Sequence, residues 1–124
     1  MTQPLALVLY ENLLPGSQIV NRLQDLNYRV HSLNDPNRLV ECAEQIKPML
    51  VLADLEPNRE TVFPAISRLK KNQATGHLPV VGFANAVDES LQETAQAAGV
   101  TVLASHAALV SHLPQFLEQA LQIE

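Results

Sequence analysis

The chain reads as an α/β protein, a five-stranded parallel sheet with helices on both faces. Two observations predict it. Short apolar runs recur at Leu5 to Tyr10 (LALVLY), Met49 to Ala53 (MLVLA), Val80 to Ala84 (VVGFA) and Val100 to Ala104 (VTVLA), and they are continuous rather than alternating, as strands covered on both faces must be. Between them lie stretches whose apolar residues recur at helical spacing. The order is therefore strand, helix, strand, helix throughout, a (βα)5 arrangement that places consecutive strands parallel through helical crossovers.

The elements follow in order. After the first run, Asn12 is an N-cap candidate, Pro15 sits in the first turn, and Ile19, Val20, Leu23 and Leu26 share one helical face. Arg29 to Leu33 (RVHSL) mixes polar and apolar residues, as an edge strand does. Asn34-Asp35-Pro36 predicts a capped helix start; Leu39, Cys42, Ala43 and Ile46 continue that helix, and Pro48 ends it. Phe63, Ile66 and Leu69 form a third stripe, closed by Gly76 and Pro79. Leu91, Ala95 and Ala98 form a thin fourth one, stopped by Gly99 at C′. Leu109, Leu113, Phe116, Leu117, Ala120 and Leu121 predict one last helix.

Composition narrows the function. The 124 residues suit one domain, 47% are hydrophobic and 17% charged, and aromatic residues make up only 4%, so the core is aliphatic. The formal charge is −5, and Lys70-Lys71 is the one adjacent basic pair, which disfavours a nucleic-acid or anionic-membrane surface. A single cysteine, Cys42, excludes an internal disulfide and a cysteine-based zinc site and suits a reducing cytoplasm. MTQPLALVLYEN has no basic leader region, and no apolar run approaches a membrane span. The expectation is a cytoplasmic single domain over residues 1–124 with no fused output module. The glycines at 16, 76, 82 and 99 form neither G-x-G-x-x-G nor a Walker loop, and no G-x-S-x-G elbow is present.

In open parallel sheets ligands bind beyond the carboxyl ends of the strands. The segments there are Tyr10-Glu11-Asn12, Asp54-Leu55-Glu56, Ala84-Asn85 and Ser105-His106.

The stretch Pro48 to Leu55 (PMLVLADL) is similar to the apolar strand that ends in the phosphoacceptor aspartate of bacterial response-regulator receiver domains. Gly76-His77-Leu78-Pro79-Val80-Val81 and Ala97-Ala98-Gly99-Val100 resemble two further segments of that family, the spacings from Asp54 to Pro79 and from Ala84 to Gly99 agree without gaps, and the resemblance covers nearly the whole chain. The resemblance implies the flavodoxin-like receiver fold. It also implies a role for each position at the carboxyl edge. Asp54 stands at the phosphoacceptor position. Tyr10-Glu11 stands where the family has a Mg²⁺-holding acidic pair, so Glu11, Asp54 and Glu56 are the candidate Mg²⁺ ligands. Ala84 replaces the hydroxyl residue that bonds the phosphoryl group, His106 the lysine that pairs with it, and Leu103 the aromatic switch residue. Three phosphate-responding positions are lost, the pattern of a pseudo-receiver.

That pattern implies a non-enzymatic signalling module in two-component transduction, acting through a protein partner: a sensor kinase, an output protein or a second copy. By analogy with the family's usual face, Gln92, Glu93 and Gln96 on the fourth helix and Glu118 and Gln119 on the fifth are the contact candidates. Two rivals stand beside this reading: a working phosphoacceptor in a phosphorelay, and a small-molecule sensor with its ligand among Tyr10, Asp54 and Ala84. Each residue also has a plainer role. Asp54 can simply cap a loop, Glu11 can be solvated, and Tyr10 can be a strand-end residue with a wet hydroxyl. Arg59 is within sequence reach of Asp54 as a counter-ion. His31 and His77 read as surface residues, His106 and His112 lack metal-ligand spacing, and Cys42 reads as a small core residue.

Overall fold

The structure is a computed structural model that describes residues 5–10, 13–55, 59–84 and 87–122. Five strands, β1 (Leu5–Leu9), β2 (Arg29–Leu33), β3 (Leu50–Asp54), β4 (Val80–Ala84) and β5 (Val102–Ser105), form one sheet in the order β2-β1-β3-β4-β5. Every neighbouring pair is parallel. The helices are α1 (Leu13–Asp25), α2 (Leu39–Ile46), α3 (Arg59–Lys71), α4 (Glu89–Ala98), α5 (His106–Ser111) and α6 (Leu113–Gln122).

Alternation along the buried strands divides the core in two. Leu7, Leu9, Val51, Ala53, Val80 and Ala84 face α2, α3 and α4, where Leu39, Ala43, Ile66, Leu69, Leu91 and Ala95 meet them. Ala6, Val8, Leu50, Leu52, Val81 and Phe83 face the other way, against Ile19 and Leu23 of α1, Leu109 of α5 and Leu113 and Leu117 of α6. Helices thus cover both faces, as the continuous apolar runs require. Strands β3 and β4 are buried along their whole length, whereas β2 is exposed at Arg29, His31 and Ser32. It is an edge strand, paired only to β1.

Several boundaries differ from the sequence reading. The third strand runs one residue later than expected, so Asp54 is its last residue, paired in register with Phe83. The fifth begins at Val102 rather than Val100, because residues 99–101 are used in leaving α4. Gly99, at φ 107°, and Val100 both donate to Ala95 O, at 3.1 and 3.0 Å, and Thr101 Oγ1 accepts from the Val80 N–H.

The second helix does not start at Pro36. Asp35 accepts from the Asn37 N–H at 3.0 Å and caps a single 3₁₀ turn, Pro36–Arg38, and α2 follows from Leu39. It stops at Ile46, where Lys47 turns left-handed at φ 51°, one residue before Pro48.

The single last helix is in fact two. Ser105 Oγ accepts from the Ala108 N–H and caps α5, which ends at Ser111; α6 begins at Leu113. Pro114 explains the break. It has no N–H for the carbonyl four residues back, and its ring crowds the preceding turn. Asn12, the expected cap of α1, lies outside the described residues.

Candidate functional site

The strand order reverses at β1 and β3, which places the topological switch point at the carboxyl ends of these two strands. Tyr10 stands there directly after β1, its N–H donating to Leu33 O at 2.9 Å, its side chain half-buried. Asp54 ends β3 and is only 3% exposed. It is one of two buried polar or charged residues among those described; the other, Thr75, donates through Oγ1 to Leu69 O as part of the turn after α3. Burying a carboxylate costs desolvation energy that its surroundings must offset.

Register fixes what surrounds Asp54. Leu9 pairs with Ala53 and Asp54 with Phe83, which in turn pairs with Ala104. Tyr10, Asp54 and Phe83 therefore form one row at the carboxyl edge, on the face covered by α1, α5 and α6. Ala84, the next residue, points to the opposite face and is 1% exposed.

His106 opens α5 immediately after β5. Its ring lies against Phe83, with centroids 6.2 Å apart and planes tilted by 41°. Its Nε2 is buried and has no hydrogen-bond partner among the described residues, so through that nitrogen it makes no bond to Asp54. Phe83 is the residue that the sequence reading did not single out. Its signal was a large ring beside Ala84 in an otherwise aliphatic strand.

Of the proposed Mg²⁺ ligands only Asp54 is described; Glu11 and Glu56 lie outside the described residues, as do Asn85 and the side chain of Arg59. Among the described residues no three His, Cys, Asp or Glu side chains gather as a metal cluster. The fit to a magnesium ion is therefore one buried carboxylate, a donor suited to a hard cation.

The fourth and last helices carry the contact candidates as expected in exposure. Gln92, Glu93 and Gln96 are exposed on α4, and Glu118 and Gln119 are exposed on α6, the second half of the divided helix. A shallow cavity of about 190 Å³ lies between α4 and β5, lined by Gln92, Gln96 and Leu103 among others.

A larger cavity, about 580 Å³, opens between β2 and α2 beside Tyr10. Tyr10 lines it, whereas Asp54 and Ala84 do not. Cys42 lines it and is half-buried, not a closed core residue; burial pushes its thiol up, the nearby Arg38 charge opposes this, and Glu41 adds to it.

No family model matches the chain, and no curated protein does. Solved structures match closely in shape. A putative response regulator from Chloroflexus aurantiacus superposes with a TM-score of 0.89 at 13% identity, covering 98% of this chain and 99% of that one. The receiver domain of sensor histidine kinase PA1611 from Pseudomonas aeruginosa, with a magnesium ion in its active-site cleft, gives 0.86 at 17% identity, over 98% and 99%. The chemotaxis protein CheY4 from Vibrio cholerae gives 0.85 at 14%, over 96% and 99%. The chain therefore has the receiver-domain fold of response regulators, a flavodoxin-like five-stranded parallel sheet.

Proposed function

We propose that this chain is a degenerate receiver, a signalling module of the cytoplasm that works through protein contact and not as an enzyme, with phosphorylation at Asp54 slow or absent. The observation that carries this reading is the state of the position expected to answer a phosphoryl group with a positive charge. His106 packs against Phe83 and, among the described residues, its Nε2 is buried without a hydrogen bond, where the family's lysine would pair with phosphoryl oxygens. Ala84 adds no hydroxyl and Leu103 no aromatic ring to move. Among the described residues no helix is long and apolar enough to cross a membrane.

Phosphoryl transfer to a carboxylate depends on positioning and on charge stabilisation of the transferred group. Glu11, Asp54 and Glu56 would hold a magnesium ion here, and a bound ion would neutralise phosphoryl charge. The receiver domain of the Pseudomonas kinase, which this chain resembles in fold, coordinates a magnesium ion in its active-site cleft, which supports this reading. Asp54 supplies the nucleophilic carboxylate. The missing donors remain a loss: removing one preorganised donor commonly costs about 3–4 kcal/mol of transition-state stabilisation. Without a hydroxyl at Ala84 and a ring at Leu103, no paired movement carries a change at Asp54 to α4. A partner must then recognise one standing conformation, and Gln92, Glu93 and Gln96 on α4 with Glu118 and Gln119 on α6 are the proposed contact residues. The partner is a sensor kinase, an output protein or a second copy.

A mass-spectrometric time course with acetyl phosphate and Mg²⁺ tests this. The expected result is little or no added phosphoryl mass over a time in which an ordinary receiver saturates. Rapid stoichiometric modification, abolished by Asp54→Asn, would establish the rival reading of a working phosphoacceptor.

A further inference from the structure

The cavity between β2 and α2 has no part in the reading above, and its origin is clear in the fold. Helix α2 is eight residues long and packs its Leu39 and Ala43 over the buried strands β1 and β3, leaving the outward flank of β2 uncovered. The result is a groove of about 580 Å³, inside the range of about 300–1,000 Å³ common for small-molecule sites. Leu33, Cys42 and Ile46 give it an apolar side. Arg38 and Glu41 line it as well, three residues apart and of opposite charge. Among the described residues neither side chain makes a hydrogen bond or an ion pair; the backbone N–H of Arg38 donates to Asp35 O at 3.1 Å.

We propose that this groove binds a small zwitterion of dipeptide size with apolar side chains. A simple anion drawn to Arg38 would meet Glu41, and a simple cation drawn to Glu41 would meet Arg38. A zwitterion satisfies both. Arg38 is the N-cap residue of α2 and Glu41 lies in the first turn of that helix; two extended residues span about 7 Å, so the charged ends of a dipeptide can reach both side chains. Its apolar groups then cover Leu33 and Ile46. Tyr10, which lines the groove and follows β1 directly, would register the ligand beside the carboxyl edge of the sheet. The site does not depend on whether Asp54 accepts a phosphoryl group.

The probe is L-leucyl-L-leucine, titrated into the ¹⁵N-labelled chain while alkylation of its one cysteine, Cys42, by iodoacetamide is timed. The expected result is saturable amide shifts confined to residues 31–46 and slower alkylation. Arg38→Gln and Glu41→Gln, both at exposed positions, should each weaken binding by about tenfold or more, since each removes a charge-assisted bond, and the N-acetylated, C-amidated dipeptide should bind as weakly as the variants allow. Folded amide spectra for both variants make that comparison valid. No saturable shift up to about 10 mM, where any site of interest would fill, overturns the proposal. So does binding unchanged by both substitutions, or equal binding of the blocked dipeptide.

Discussion

Gly99 shows how one residue ties local geometry to packing. Its φ of 107° lies where only glycine is at ease, and it ends α4 at that point. A Cβ there would also lie 2.7 Å from Lys70 Cγ. The lysine cannot swing away freely, because its Nζ donates to Leu78 O at 2.8 Å. Burial pushes the Lys70 ammonium below its ordinary pKa, and its stem fills the gap beneath α4. Gly99→Ala should therefore lower stability by about 1 kcal/mol or more, seen as a lower urea midpoint with an unchanged m-value. This glycine was legible in the sequence, since it follows an apolar stripe and precedes a strand. Phe83 was legible only as the neighbour of an expected position, Ala84, whereas His106 was itself an expected position. Their contact across 6.2 Å depends on β4 register and on the turn into α5, neither of which the local sequence specifies.

Side-chain caps start α4 and α5, and Pro114 separates α5 from α6. Asp88 Oδ1 accepts from the Leu91 N–H at 2.8 Å and starts α4, the helix that bears Gln92, Glu93 and Gln96. Asp88 is exposed, so its loss removes a cap and little else. Asp88→Ala should cost about 1 kcal/mol and Asp88→Ser much less, measured by urea unfolding. The strands were readable because β1, β3 and β4 are continuous apolar runs, a pattern that a sheet covered on both faces imposes. Two helix details were not read. Pro114 was present in the sequence and breaks the last helix, but the apolar stripe from Leu109 to Leu121 continues across the break and hides it. Asp35 and Pro36 were read as opening an α-helix, where they open a 3₁₀ turn instead. Both start with the same cap, and the choice depends on how the next residues pack.

Across the whole molecule, the sheet order and the two cores bring Tyr10, Asp54 and Phe83 into one row at the carboxyl edge. The expectation of a site at that edge followed from alternation of strand and helix. Asp54 was placed correctly at the end of its strand's reach and is buried there. The groove between β2 and α2 was not legible, because it arises from the shortness of α2 and from where that helix lies across the sheet. His31 looked like an ordinary surface residue and Cys42 like an ordinary core residue, and only their positions in space make them walls of one cavity. The central claim is that the chain holds a receiver's fold without its phosphorylation switch. The measurement that tests it most directly is an amide NMR titration with Mg²⁺, then with beryllofluoride, which mimics a phosphoryl group on the aspartate. The account predicts that any shifts stay local to Asp54 and its neighbours, with α4, Leu103 and α5 unmoved. Shifts that spread from Asp54 through residues 84–110 would mean a live switch and would contradict it.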